Sequence, residues 1–62
     1  MDPKDAMSHD NLGVALRAQG KGDEAISDYR LAIQLDPKLA LAHNNLGDAL
    51  RDQGKNDEAI SE

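Results

Sequence analysis

The stretch NLGVALRAQGKGDEAIS, residues 11–27, decides the fold, because it recurs 34 residues later as NLGDALRDQGKNDEAIS, residues 45–61. When residues 2–28 are placed over residues 36–62, 19 of the 27 aligned pairs are identical. Repetition at a fixed period of this length is typical of a solenoid, in which each unit buries an apolar face against the next. We therefore expect a single domain over residues 1–62, with a full 34-residue unit at 6–39 and an incomplete second unit at 40–62.

Within each unit, the apolar residues repeat with the period of an α-helix. The clearest stripe has the i, i+1, i+4, i+7, i+8 spacing of one helix face, and consists of Ala25, Ile26, Tyr29, Ala32 and Ile33. The pattern predicts helix A over about 6–19 and helix B over about 24–35, with Gly20 between them as a left-handed residue that ends helix A. A second helix, A′, is predicted over about 39–53, and a truncated helix B′ opens at Asp57. The expected fold is an all-α helix-turn-helix solenoid.

Composition restricts the function. The chain of 62 residues has 14 large aliphatic residues and one aromatic residue, which is a small core with little room for an enclosed substrate pocket. It contains no cysteine, so disulfides and thiolate metal sites are excluded. A net charge of −5 argues against nucleic acid and anionic membranes as partners, and no apolar run approaches the roughly 18 residues that span a bilayer. We expect a soluble, cytoplasmic, non-catalytic protein without a cofactor.

Two groups of residues resemble chemical sites without the required geometry. Ser8, His9 and Asp10 carry the residue types of a catalytic triad, but neighbours on a helix point about 100° apart and cannot converge. His9 and His43 occupy equivalent positions, and adjacent packed helices lie roughly 8–10 Å apart, which is too far for one metal ion. We predict no catalytic and no metal site, and interpret the histidines as half-buried packing residues.

The repeated residues resemble the tetratricopeptide repeat, which has a two-helix unit of 34 residues. In the phase of that family, the matching positions are Leu12-Gly13, Gly20, Ala25, Tyr29, Ala32 and Pro37, with Leu46-Gly47, Gly54 and Ala59 in the second unit. The resemblance implies a packing role for Leu12, Gly13, Leu16, Ala25, Ile26, Tyr29, Ala32, Ile33, Leu46, Gly47 and Leu50. We expect the two mid-helix glycines to let helix B approach helix A closely, through Ala25 in the first unit.

The same resemblance implies a concave groove along helix A that holds an extended peptide of a partner protein. Carried over by position, the groove residues are Asp10, Asn11, Val14, Arg17, Asn44, Asn45, Asp48 and Arg51. Asn11 and Asn45 share one phase and are similar to the asparagine ladder of O-GlcNAc transferase-like superhelical arrays. A primary amide both donates and accepts, so it can pair with any peptide backbone. The alternative, which the sequence leaves open, is that these asparagines are tolerated there or satisfy a local backbone group. With Asp10 in the groove, a basic or neutral guest is favoured.

The incomplete second unit points to self-association. A stub of helix B′ cannot cover helix A′, which leaves apolar surface open to a second copy of the chain. The residues expected to take part in a homo-oligomer are Leu46, Leu50, Ala59 and Ile60. Two other interpretations remain open: a minimal or designed repeat fragment whose main activity is homo-oligomeric assembly, and an accessory repeat of a larger enzyme.

Overall fold

Two turns divide residues 3–61 into three helices. The computed structural model describes the backbone of residues 3–61 and the side chains of residues 5–55. Helix α1 runs over Pro3–Ala18, α2 over Gly22–Leu35 and α3 over Ala40–Ser61. No strand occurs within residues 3–61, so the predicted all-α helix-turn-helix fold is confirmed.

The first turn has the geometry that the glycine predicted. Gly20 has a φ of 82°, in the left-handed region where a side chain is strained. The Gly20 N–H donates to the Arg17 carbonyl at 3.0 Å, and the Lys21 N–H donates to the Leu16 carbonyl at 2.9 Å. This pair of bonds satisfies the last carbonyls of α1 and reverses the chain within a few residues.

The second turn places α3 beside α2. The Lys38 N–H donates to Asp36 Oδ1 at 3.2 Å, and the Leu39 N–H donates to the Asp36 carbonyl at 3.1 Å. His43 Nε2 then donates to the Pro37 carbonyl at 2.9 Å, which ties the first turn of α3 to the loop.

Helix α3 corrects one detail of the prediction, since no turn separates A′ from B′. The backbone is helical through Gln53, Gly54 and Lys55, and Gly54 does not have the positive φ of Gly20. The turn at Gly20 is stabilised by the next helix, because α2 buries apolar side chains against α1. At Gly54 the backbone instead keeps the regular hydrogen bonds of a continuous helix.

The core consists of two small clusters dominated by alanine. One cluster contains Ala25, Ile26, Tyr29 and Ala49, with Leu16 and Leu46 packed against it. The other contains Ala6, Ala32 and Ala42, with Ile33, Leu35 and Leu39 packed against it. Both clusters contain residues of α2. Because α2 packs against both α1 and α3, it is the central element. Tyr29 is the largest fully buried side chain, and the core depends on it more than on any other residue.

The mid-helix glycines differ, and the nearest neighbour of Gly13 is Tyr29 rather than the expected Ala25. A Cβ built on Gly13 would lie 2.5 Å from Tyr29 Cε1, so the close approach is made by the tyrosine ring. A Cβ built on Gly47 would meet nothing within 4 Å. Only the first glycine therefore has a steric reason for its place in a helix.

Candidate functional site

A pocket of about 380 Å³ lies between α1 and α3, on the side where the groove was predicted. Its lining residues are Val14, Arg17, Ala18, Tyr29, Asn45 and Asp52. Helix α1 supplies one wall, α3 supplies the other, and α2 contributes only Tyr29. Of the eight predicted groove residues, the structure brings Val14, Arg17 and Asn45 together in this pocket.

Asp10 corrects the predicted groove, since it is 1% exposed and belongs to the interface between α1 and α3. Asn45 Nδ2 donates to Asp10 Oδ1 at 2.9 Å. A buried carboxylate that accepts a hydrogen bond is much less costly than an unpaired one. Asn45 thus uses one of its two N–H donors inside the chain. This favours a structural role for its Nδ2 group.

The other predicted groove residues lie on the surface. Asn11, Asn44 and Arg51 are exposed, and Asp48 is half-buried. Arg51 Nη1 lies 3.5 Å from Asp48 Oδ1 one turn away on α3, so this pair stays within a single helix. None of these four lines the pocket.

An ion pair joins the two walls of the pocket. Arg17 Nε donates to Asp52 Oδ2 at 2.6 Å, which connects α1 to α3 across 35 residues. The hydrogen bond from Arg17 lowers the pKa of the Asp52 carboxyl, and the same bond raises the pKa of the guanidinium. Both side chains keep about two fifths of their surface in water, 38% for Arg17 and 46% for Asp52, so the pair is screened and adds little stability.

Tyr29 is the site residue that sequence reasoning missed, because it was assigned to packing alone. Its side chain is 0% exposed, and its hydroxyl has no hydrogen-bond partner among the described residues. Burial raises the pKa of the phenol, and the negative charge of Asp10 raises it further. The signal in the sequence was the choice of tyrosine over phenylalanine at a buried helical position.

The predicted packing residues divide into a buried group and an exposed group. Ala25, Ile26, Tyr29, Ala32 and Gly13 are buried, and Leu16, Ile33 and Leu46 are half-buried. Leu12 is 49% exposed and Leu50 is 42% exposed, and Gly47 is also exposed, so the predicted packing role does not hold for these three. Of the residues expected to self-associate, Leu46 packs against the Tyr29 cluster. The side chains of Ala59 and Ile60 lie outside the described residues.

The histidines face different partners. His9 Nδ1 lies 3.4 Å from Asp28 Oδ1, while His43 is exposed and bonds to the second turn. Among the described side chains, no group of three or more potential ligands could hold a metal ion. No helix in the described part of the chain is long and apolar enough to cross a bilayer.

Comparison with known proteins decides the family. The model of the TPR repeat matches residues 13–50, which is more than half of the chain, and a model of the tetratricopeptide repeat matches residues 42–61. The chain belongs to the tetratricopeptide repeat family. Searches of curated proteins and of solved structures found no match to the chain.

Membership of the tetratricopeptide repeat family fixes the general function. Repeats of this family are scaffolds for protein–protein interaction and are typically non-catalytic. The three-helix structure corresponds to one helix pair, α1 and α2, followed by the helix that opens the next tetratricopeptide repeat.

Proposed function

We propose that this chain binds an extended segment of a partner protein along the surface between α1 and α3. The observation that carries the proposal is the pocket between these helices, which is lined by both polar and apolar side chains. Tyr29 and Asn45 supply hydrogen-bonding groups, and Val14, which is 48% exposed, supplies an apolar contact. A volume of about 380 Å³ is enough for one side chain and the adjacent backbone of a peptide.

The charges along the groove favour a neutral or basic guest. Arg17 is already paired with Asp52, and Arg51 is already beside Asp48. An incoming carboxylate would approach Asp48 and Asp52, with no unpaired arginine among these four residues to receive it. An incoming cation would find the surplus negative charge of a chain with a net charge of −5.

The asparagine ladder is part of the proposal. Asn11 is exposed on α1 and presents a primary amide that both donates and accepts. Asn45 keeps its Oδ1 and one N–H beyond its bond to Asp10. In this arrangement Asn11 and Asn45 pair with the peptide backbone, as in O-GlcNAc transferase-like arrays, and side-chain selectivity comes from the pocket.

A double substitution tests the groove. We expect Asn11→Ala combined with Asn45→Ala to weaken a bound neutral peptide by about thirtyfold, because two backbone hydrogen bonds of about 1 kcal/mol each are lost. Calorimetric titration with a peptide selected against the wild-type chain measures this. Asn44→Ala, an exposed asparagine on the same helix outside the pocket, is the control and should bind unchanged. Equal affinity of the double variant and the control would refute the ladder.

A second candidate function, homo-oligomeric assembly, is favoured by the open face of α3. Gly13 and Leu16 of α1 are covered by α2, whereas their counterparts Gly47 and Leu50 are exposed. A second copy of the chain is the occupant we propose for this face. Sedimentation equilibrium tests it: Leu50→Asp should shift the chain toward monomer, and Leu31→Asp, at an exposed leucine of α2, should not. A monomer at all concentrations contradicts self-association and leaves the groove untouched.

A further inference from the structure

The Tyr29 side chain starts on α2 and ends in the groove between α1 and α3. Its ring passes Gly13 so closely that a Cβ at that position would lie 2.5–3.0 Å from Tyr29 Cε1, Cδ1 and Cζ. Because Gly13 has no Cβ, the Tyr29 ring has room to pass α1 at this position. The residue reaches the pocket that α1 and α3 form, although its own helix supplies no wall.

The hydroxyl at the end of this ring has no partner among the described residues. A buried hydroxyl without a hydrogen bond is destabilising because it has lost its bonds to water, and a phenylalanine at the same place would avoid that cost. The chain contains one tyrosine and no phenylalanine or tryptophan. A buried hydroxyl that lines a pocket and has no partner among the described residues can form its hydrogen bond with a bound peptide.

We infer that the Tyr29 hydroxyl binds an amide group of the guest peptide, donating to its carbonyl oxygen at the floor of the pocket between α1 and α3. This inference rests on the proposed peptide-binding function and names the chemistry that the pocket selects. The amide belongs either to the peptide backbone or to an asparagine or glutamine side chain, and both present the same carbonyl acceptor beside an N–H donor.

The other polar atoms of the pocket complement an amide. Tyr29 remains a neutral donor at ordinary pH, because burial and the charge of Asp10 raise the pKa of the phenol. Asn45 Oδ1 and Asp52 Oδ1 are acceptors, since the hydrogen bonds that these residues make within the chain use Asn45 Nδ2 and Asp52 Oδ2. One donor on the floor and two acceptors on the α3 wall match the carbonyl and the N–H of an amide.

Charged guests fit less well. A carboxylate could accept from Tyr29 but would meet the carboxylate of Asp52 on the α3 wall, while Arg17, the cation that lines the pocket, is already paired with Asp52. An ammonium offers only donors, and would leave the donor of Tyr29 unsatisfied. Polar selectivity of this kind is strong, because a site built to pair with a polar group rejects an analogue that leaves its own groups unpaired.

The proposal requires side chains at the pocket to move, since the hydroxyl itself has almost no contact with solvent. Val14 and Arg17 line the same pocket and are 48% and 38% exposed. Exposed side chains change rotamer within nanoseconds, so displacement of these two is the route that we propose for the guest.

Three peptides of one length and one substitution test the inference. The probes are an all-glycine peptide, the same peptide with one glutamine, and the same peptide with one glutamate. We expect Tyr29→Phe to weaken every peptide that binds through an amide by about tenfold; where that amide is the glutamine side chain, the glutamine peptide should also bind the wild-type chain at least tenfold more tightly than the glutamate peptide. If the all-glycine and glutamine peptides lose affinity equally, the amide is the backbone; if only the glutamine peptide does, the amide is the side chain.

Tyr29→Phe keeps the ring against Gly13, so the fold should be retained, and its thermal midpoint should be equal or higher because an unpaired hydroxyl is gone. As a second readout, the absorbance of tyrosinate reports on Tyr29 alone, since the chain has no other tyrosine. Bound amide should raise the titration midpoint above that of the free protein. Unchanged affinity of Tyr29→Phe would overturn the inference and leave the groove standing, whereas failure of the wild-type chain to bind any probe would overturn both.

Discussion

The tripeptide Gln-Gly-Lys occurs twice in this chain and takes two conformations. At residues 19–21 it forms a turn with Gly20 at a φ of 82°, and at residues 53–55 it lies inside α3 as regular helix. The flanking sequences are nearly the same, since 14 of the 17 residues of 11–27 recur at 45–61. Local propensity therefore does not distinguish the two sites, and the difference must come from tertiary contacts.

The contact that differs is the one made by α2. After the first turn, α2 places Tyr29 against Gly13 and buries Ala25 and Ile26, and this burial offsets the helical hydrogen bonds that the turn gives up. Gly20 and Gly54 thus stand in nearly the same local sequence, and the turn at Gly20 is accompanied by the packing of α2 against α1.

Substituting alanine at the two mid-helix glycines should give the largest difference in stability. Gly13→Ala places a Cβ within 2.5 Å of the Tyr29 ring, and overpacking of this kind costs about 1–3 kcal/mol. Gly47→Ala meets nothing within 4 Å and should stabilise α3 by up to about 1 kcal/mol through helix propensity. Thermal unfolding followed by circular dichroism should show the two midpoints moving in opposite directions.

Tyr29→Ala is the control for that contrast. Gly13→Ala should cost little in the Tyr29→Ala background, because the ring that it clashes with is gone, so the two substitutions should couple in a double-mutant cycle. Additive effects would mean that Gly13 is required for another reason, and the path inferred for the Tyr29 ring would be wrong.

Substituting alanine at Gly20 and at Gly54 should give a smaller difference in the free energy of unfolding. Gly20→Ala forces a side chain into the left-handed region, which costs about 1–2 kcal/mol. Gly54→Ala replaces a glycine in a helix interior and should be stabilising by up to about 1 kcal/mol. Denaturant unfolding measures both values. If Gly54→Ala destabilises as much as Gly20→Ala, the chain turns at both glycines and α3 is not continuous.

The fold was predictable because the repeat and the helical period are both visible in the sequence. The position of Gly20 at the end of α1 followed from the same pattern. The continuity of α3 was not predictable from its own residues, since the Gln-Gly-Lys sequence that breaks α1 also occurs in α3. A glycine of this kind ends a helix only where the next helix packs back and holds the turn, and that packing is a tertiary property.

The candidate site was predictable only in outline. The resemblance to the repeat family implied a groove that includes Val14, Arg17 and Asn45, and the pocket contains all three. The same resemblance implied Asp10, but Asp10 lies at the contact between α1 and α3 and is buried against Asn45. Tyr29 was missed because a helical wheel assigns a residue to the face where it begins, whereas a ring that crosses beside a glycine ends on another face.

The two equivalent arginines provide the last and smallest test. Arg17 bridges from the first unit to Asp52 in the second, while Arg51 reaches only Asp48 in its own helix. The bond from Arg17 lowers the pKa of Asp52 below its usual value of 3.8, so the folded state favours the charged carboxylate. The stability from this pair is therefore complete above the unfolded pKa and is lost as the pH falls through the lowered folded pKa.

We expect Arg17→Gln to lower the thermal midpoint slightly at about pH 6 and to match the wild type in acid, once Asp52 is protonated. Arg51→Gln, the matched control, should change the midpoint less at about pH 6, because its pair spans one turn of one helix and its side chain is 70% exposed. Added salt should reduce the effect of Arg17→Gln at about pH 6, as it does for any exposed pair. A difference between Arg17→Gln and the wild type that persists in acid would show that Arg17 acts through the packing of its aliphatic stem at the pocket, since an ion pair with a protonated partner no longer exists.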